Sequence, residues 1–429
     1  MISLKVKKAN NLSSIFAFAI LGASFFANQV IGQNALTLQS AIEKALASEP
    51  KFASIAINQE IEKARLKNTK ANDASSLAIQ GTYGASNADF GMGYKEIYPR
   101  ALALAWEKRI YDGGQALAKV NAQEFQIAAT NGEVLNARGA LILEVVDAYA
   151  NYYVAQKSLE FAKNNFDANA RFARDAKLQF EAGETALSEK AMADAALARS
   201  KAILAQSEGQ LKIAGANLYR LTQENISFAT LDGIKPDLPA GQNFAIEQAK
   251  ESHPLLAAAK ARLGQAEAQY KIVNSNYSPK ISISARAQTV RDQFLAGYKS
   301  DDIGAFINFT MPIDTVGRVK TGLEMARNYK EQARLGLNAA MRNIEMGIIQ
   351  SYANYDAAKA QLEAGKAAEI ALLQAMKSTE AEMRVGQRPI WDVLEARKNL
   401  TEGQMELARA EANLLTAKYK IIHAAGLLN

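Results

Sequence analysis

From Gly114 to Ala182 the sequence contains no proline and is filled with Ala, Leu, Glu, Gln and Lys, all good helix formers. Only Gly132 and Gly139 weaken the stretch. At 1.5 Å per residue, about 69 helical residues make a rod on the order of 100 Å long. Helices of globular proteins usually stop after roughly 8–20 residues. A small compact core is therefore excluded, and the rod has to bury its apolar stripe against other rods.

The rod occurs twice. Tyr149-Ala150-Asn151-Tyr152 returns as Tyr352-Ala353-Asn354-Tyr355, and Leu159-Glu160 returns as Leu362-Glu363. At the same separation of 203 positions, Gly114 matches Gly317, Gly183 matches Gly386, Ala193 matches Ala396 and Leu211 matches Leu414. Near the start of each half, Ala41-Ile42-Glu43 matches Ala245-Ile246-Glu247, and Pro50 matches Pro254. A register held within one residue over so long a stretch identifies an internal duplication. The 429 residues thus read as one architecture made of two halves rather than as unrelated domains.

Composition removes several classes of chemistry. Without cysteine there are no disulfides, thiolate metal sites, cysteine nucleophiles or acylated N-terminal cysteine. The two histidines, His253 and His423, lie far apart in sequence and read as packing residues rather than a metal pair. Lys5, Lys7 and Lys8 supply three of the net +6 charges, so the rest of the chain gives no argument for a nucleic-acid partner. Neither GxxxxGK[ST] nor GxGxxG occurs. No arrangement of serines and carboxylates stands out from charged helix surfaces, so the chain is not expected to be an enzyme or to hold a cofactor.

In chain order, residues 1–32 read as a secretory signal peptide, with a lysine-bearing start, an apolar run from Ile15 to Ala27 and cleavage after Gly32. The first repeat then spans 33–222 and the second 243–429, joined by a connector, 223–242, expected to pack on the outside. Pro50 and Pro254 each break a leading helical segment, because a residue before proline avoids the α region. Two hairpins follow at matched positions, 77–111 and 280–312. Leu77, Ile79, Gly81 and Tyr83 alternate with Ala78, Gln80 and Thr82, and Leu102, Leu104 and Trp106 share one face of the next strand. In the second half Ile281, Ile283 and Ala285 share a face, as do Ile303, Ala305, Ile307 and Phe309, with Phe306 breaking the pattern. Ser86–Pro99 and Arg291–Asp302 read as the connecting loops. Such alternation fits transmembrane barrel strands and an ordinary soluble hairpin alike. Long helices at 114–182 and 317–385 and shorter ones at 188–222 and 390–425 complete the halves.

Four strands cannot close a barrel of useful diameter, and an open edge in lipid leaves backbone groups unpaired at several kcal/mol each. A symmetric ring solves this, and three copies bring twelve strands.

With these features the chain resembles the TolC family of outer-membrane channel proteins. The resemblance covers essentially all of the mature sequence. It rests on the two-fold repeat, Tyr111-Asp112-Gly113-Gly114, the Tyr-Ala-Asn-Tyr pair, and two turn motifs, Ala-Gly-Glu-Thr-Ala-Leu-Ser-Glu at 182–189 and Val-Gly-Gln-Arg-Pro-Ile-Trp-Asp-Val-Leu-Glu-Ala at 385–396. It implies a mainly α fold with transmembrane β: a homotrimeric twelve-stranded β-barrel in the outer membrane, continued across the periplasm by an α-helical barrel. It also implies a periplasmic adaptor and an inner-membrane ABC or RND transporter as partners, besides outer-membrane lipid. The family closes its periplasmic end with links and acidic rings. On that pattern Arg388 is the link arginine, Asp392 and Glu395 are the acidic ring, and Ser188 and Glu189 stand at the partner positions. Met383 replaces a tyrosine of the best-known member, and Pro389 stiffens the turn. Independently of the resemblance, Asp392 and Glu395 are spaced i,i+3 on one helix face. Acids there also suit the first turn of a helix by complementing its dipole.

The expected function is a passive exit duct whose energy comes from a partner, serving type I protein secretion or the efflux of small molecules. Lack of an acylatable cysteine favours protein secretion or general export. The competing expectation is a soluble or surface-attached coiled-coil structural protein, which leaves the matched alternating segments unexplained.

Overall fold

A computed structural model describes residues 36–89, 91 and 93–428 of the chain. The expected signal peptide and its cleavage site lie outside the described residues. The first half contains α1 (Leu38–Ser48), α2 (Pro50–Ala71), β1 (Ser76–Tyr83), β2 (Ser86–Ala88), β3 (Lys95–Ile97), β4 (Arg100–Tyr111), α3 (Gln115–Glu181) and α4 (Leu187–Thr222). The second contains α5 (Gln242–Ser252), α6 (Pro254–Asn274), β5 (Lys280–Arg291), β6 (Lys299–Thr310), α7 (Arg318–Arg384) and α8 (Ile390–Ala424). Both α3 and α7 are 67 residues long, about 100 Å each.

Local chemistry sets the boundaries. Pro50 and Pro254 begin α2 and α6, where a missing N–H costs nothing, and Glu49 and His253 cap those helices. After both long helices the chain reverses at a glycine in the left-handed region, Gly183 (φ 77°) and Gly386 (φ 78°). The turns are closed alike: Gly183 N donates to Phe180 O (3.0 Å) and Glu184 N to Gln179 O (2.8 Å), while Gly386 N donates to Met383 O and Gln387 N to Glu382 O (both 2.9 Å). That is the Schellman pattern, which satisfies the last carbonyls of a helix.

The helices form one layer. Beside the sheet α3 lies between α2 and α6, with α7 beyond α6; at the turn end α3 lies between α4 and α8, with α7 beyond α8. Close approach is possible because α3 carries glycine where its neighbours cross. A Cβ on Gly132 would stand 2.4 Å from the Pro254 carbonyl oxygen, and one on Gly139 would stand 2.8 Å from the His423 ring. The two residues that weaken the helix in sequence are those that let it pack.

The main core lies midway along α3, where α1, α4 and residues 226–234 close over Leu141, Val145, Val146, Tyr149 and Tyr152. Tyr149 Oη donates to Thr230 O and Tyr152 Oη to Ile226 O (3.2 Å each), and Tyr352 Oη donates to Pro239 O (3.3 Å). The repeated tyrosine motif is thus where the connector is strapped to the helices. The connector is partly core itself, since Ala229 is fully buried.

All four long strands form one antiparallel sheet in the order β1-β4-β5-β6, and β2 and β3 form a separate two-stranded ribbon. Two readings of the loops need correction. Ser86–Pro99 is not simply a loop, because β2 and β3 pair within it and bury Ile97. Arg291–Asp302 is shorter as a loop than expected: β5 runs to Arg291, β6 starts at Lys299, and only residues 292–298 turn. Polar side chains there masked the strand, yet they pair across it. Thr289 Oγ1 donates to Asp301 Oδ1 (2.6 Å), and Arg291 and Asp301 form an ion pair at 2.9 Å.

Candidate functional site

The sheet separates two chemistries. Cross-strand register places Leu77 opposite Trp106, Ile79 opposite Leu104, Ile281 opposite Phe309 and Ile283 opposite Ile307 on one face. Ile303, Ile307 and Phe309 on that face are 89%, 76% and 67% exposed, and a contiguous exposed apolar patch of this kind marks a surface that meets a partner or a membrane. The other face carries Gln80, Arg286, Gln288 and Asn308, whose Nδ2 donates to Ser284 Oγ (2.9 Å). Phe306 is an aromatic exception on this polar face. Its ring covers Gly304, where a Cβ would come within 2.8 Å of it. The end of the sheet away from the long helices is charged, with Arg100 bound to Asp292 at 3.0 Å. Among the described residues no helix is long and apolar enough to cross a membrane.

Aspartates fix the passage from strand to helix, a role not read from the sequence. Asp112 accepts from Gln115 N (2.9 Å) and Ala116 N (2.8 Å), and Asp314 accepts from Val319 N (3.0 Å) and Lys320 N (3.2 Å). Each satisfies donors at the start of a long helix and places a negative charge at its positive end. The signal was available, since an acid precedes each glycine that opens a rod.

At the turn end, Arg388 Nε donates to Glu382 Oε2 (2.5 Å) and a terminal nitrogen of Arg388 donates to Asp392 Oδ2 (3.1 Å). Those carboxylates hold the Arg388 guanidinium above its ordinary pKa. Glu395 pairs with Lys398 at 3.3 Å, and Glu189 accepts from Thr185 Oγ1. Within one chain, then, Arg388 and Asp392 meet in a single turn, while Ser188 and Glu189 belong to the other turn. What joins the two turns is different. Ile390 packs on Ala173, Ala176 and Ala193, and the Arg397 guanidinium lies 5.6 Å from the centroid of the Phe172 ring. Arg397 also reaches Glu380 at 3.7 Å, and burial lowers its pKa in spite of that carboxylate.

The two histidines, 170 positions apart, are neighbours. His253 is 5% exposed, and its Nδ1 accepts from Leu255 N (3.1 Å) at the start of α6. Burial first, and then the adjacent His423, push its pKa down to about 4; burial also lowers that of His423. Among the described residues no cluster of three or more metal-ligating side chains occurs.

Residues 41–223 and 245–427 both match the family model described as outer membrane efflux protein. The chain is 25% identical over 328 residues to the outer membrane efflux protein BepC of Brucella suis, covering 76% of this chain and 72% of that protein. It is 22% identical over 427 residues to the outer membrane protein TolC of Vibrio cholerae, covering 97% and 96%. The Campylobacter jejuni CmeC outer membrane channel superposes with a TM-score of 0.82 at 16% identity, covering 99% of this chain and 94% of that one. Two repeats that each carry a hairpin and a rod, with both halves matching one model, settle the assignment: the chain belongs to the outer membrane efflux protein family and is an outer-membrane channel protein that extends into the periplasm.

Proposed function

We propose that three copies of this chain close into a single exit duct that docks with a periplasmic adaptor and an inner-membrane ABC or RND transporter, for type I protein secretion or small-molecule efflux. The supporting observation is an inequality between the repeats. Twenty of the 67 residues of α3 are buried, against four of the 67 of α7. Gly132 and Gly139 lie where α3 meets α6 and α8, and Val146 is fully buried in the main core. Their repeat counterparts on α7 are Leu335, Arg342 and Ile349, and Leu335 and Ile349 are 56% and 43% exposed. Burying one such side chain contributes about 1.5–3 kcal/mol. A second copy, offering its own α2 and α4, would complete α7 as α6 and α8 complete α3 within the chain.

The sheet asks for the same operation, because β1 and β6 each leave one edge unpaired. In lipid every unpaired backbone group costs several kcal/mol, and only a closed barrel removes the edge. Three sheets of four strands make twelve. Their apolar face meets lipid and their polar face lines the pore, the alternation expected of such barrels. The rods then converge on the turns at Gly183 and Gly386. There Arg388, Asp392, Glu395, Ser188 and Glu189 form the periplasmic gate, with Met383 and Pro389 altering its links and stiffness.

Native mass spectrometry of the purified protein in a nonionic detergent, with conductance across planar bilayers, tests this reading. The expected result is a mass of three chains and discrete conducting steps. Monomers that leave bilayers non-conducting would overturn it.

A further inference from the structure

The repeat brings two related clefts with it. The smaller, about 320 Å³, lies between α3 and α4 and is lined by Glu144, Asp147, Asn151, Asn217 and Arg220. The larger, about 710 Å³, lies among α3, α6, α7 and α8, and its lining includes Gly347, Gln350, Asn354, Lys420 and His423. At the repeat separation of 203 these residues correspond one to one, so the clefts are the same place in the two halves. Their chemistry has diverged. Gly347 stands for Glu144, Gln350 for Asp147, Lys420 for Asn217 and His423 for Arg220.

Those exchanges reverse the charge. In the smaller cleft Arg220 pairs with Glu144 (2.5 Å) and reaches Glu49 (3.7 Å), while Asp147 remains. The larger cleft has no carboxylate in its lining. Of its two cations, Arg262 is taken by Glu133, whereas Lys420 has no ion pair among the described residues. Its histidines are neutral at physiological pH, since burial holds both below their ordinary range. What remains is one free ammonium, side-chain amides such as Asn343, Gln350 and Asn354 with donors to offer, and apolar walls from Leu143, Leu255, Leu337 and Ile344.

We infer that the larger cleft binds a small anionic amphiphile, its hydrocarbon body against the leucines and Ile344 and its acidic head on Lys420 and the neighbouring amides. Volume agrees, since ligand pockets run to roughly 300–1,000 Å³ with mostly apolar walls and few polar groups. Charge decides the sign, because a cation would meet Lys420 with no carboxylate to offset it. All four walls come from one chain, so the cleft needs no second copy. Asn136 and Leu143 lie roughly 160–180° around α3 from Val145, which belongs to the core under the connector. The cleft therefore opens on the opposite side of the helix layer. Only this last point, that a bound amphiphile faces the lumen, rests on the duct reading.

Fluorescence titration of the purified full-length protein in a nonionic detergent with 11-(dansylamino)undecanoic acid, and with its uncharged primary amide, tests the inference. The carboxylate should bind once per chain and more tightly than the amide, with affinity falling as salt rises. Lys420→Glu should weaken the carboxylate at least tenfold and leave the amide little changed. Gly347→Leu should abolish both, because a Cβ there meets nothing within 4 Å and the leucine side chain it carries extends into the cleft. Equal affinity for the two probes, unchanged binding in Lys420→Glu, or full binding in Gly347→Leu would each overturn the inference. Conductance separates the two readings. Blockade by the carboxylate in wild type but not in Gly347→Leu supports both. Binding without blockade counts against the lumenal placement and leaves the cleft assignment standing.

Discussion

The same substitution at two glycines of the long helices should have opposite signs. Gly→Ala inside a helix gains about 0.8–1 kcal/mol from propensity wherever the methyl group has room. At Gly336 of α7 an added Cβ meets nothing within 4 Å, so that gain should be kept whole. At Gly132 of α3 the Cβ would stand 2.4 Å from the Pro254 carbonyl oxygen and 3.0 Å from the Ala258 Cβ. Neither neighbour is the free end of a flexible side chain, and Pro254 opens α6, so the α3–α6 crossing itself must widen. Overpacking of this kind costs typically 1–3 kcal/mol, here at the upper end, which leaves Gly132→Ala less stable by about 1–2 kcal/mol. Guanidinium unfolding in a nonionic detergent, followed by far-UV circular dichroism, should therefore separate the two variants by about 2–3 kcal/mol, one on each side of wild type. A Gly132→Ala protein as stable as wild type would refute the close helix approach. A destabilised Gly336→Ala protein would refute the open cleft.

At the proposed gate, Asp392→Asn with Glu395→Gln should weaken cation preference and block by a trivalent cation while the protein still assembles; wild-type reversal potentials in a KCl gradient would reduce these acids to helix-start residues. Arg388→Ala frees Glu382 and Asp392 together and should raise single-channel conductance, and an unchanged conductance would show that the turn stays closed without its arginine. Cysteines at Asn87 and Gln293 should react with an impermeant maleimide on intact cells while one at Ser188 does not, and the reverse pattern would invert the topology. The buried histidines should make stability depend on pH. Because the folded pKa of His253 is depressed from 6.5 to about 4, its contribution is complete above pH 6.5 and is lost as pH falls towards 4, by up to about 3 kcal/mol. His253→Asn keeps a side-chain cap for α6 and should flatten the loss of melting temperature between pH 7 and 5; an equally steep loss would place the titration elsewhere.

How much of this was legible follows from the range of each signal. The rods, their terminal glycines and the proline breaks are local, so Gly183, Gly386, Pro50 and Pro254 announced themselves. Alternation carried the strands as far as apolar residues marked it, and missed Arg291 and residues 299–302, where Arg291 and Asp301 pair with each other instead of hiding from water. Contacts between distant segments left no trace. Nothing near His253 in sequence points to His423, and Gly132 and Gly139 look like defects until α6 and α8 are laid against them. Of the proposed gate residues, Asp392 and Glu395 stand out by spacing, and Arg388 by resemblance alone. The bond from Arg388 to Glu382 crosses the turn, and Arg397 meets Phe172 across two helix pairs, so neither could be read from a linear pattern.

The equal length of α3 and α7 bears on how such a chain can change over generations. Each rod runs from an aspartate-capped start to a glycine reversal, so both tips hang at one level. Inserting a single residue into one rod would lower its tip by about 1.5 Å and rotate every side chain beyond it by about 100°. Ile390 would then miss its alanine seat, and Arg397 would lose the Phe172 ring. Lengthening is tolerable only when both rods, together with the helices that return alongside them, gain matching segments close to whole turns. The duct can be retuned residue by residue along its wall, but its reach is heritable only in paired steps.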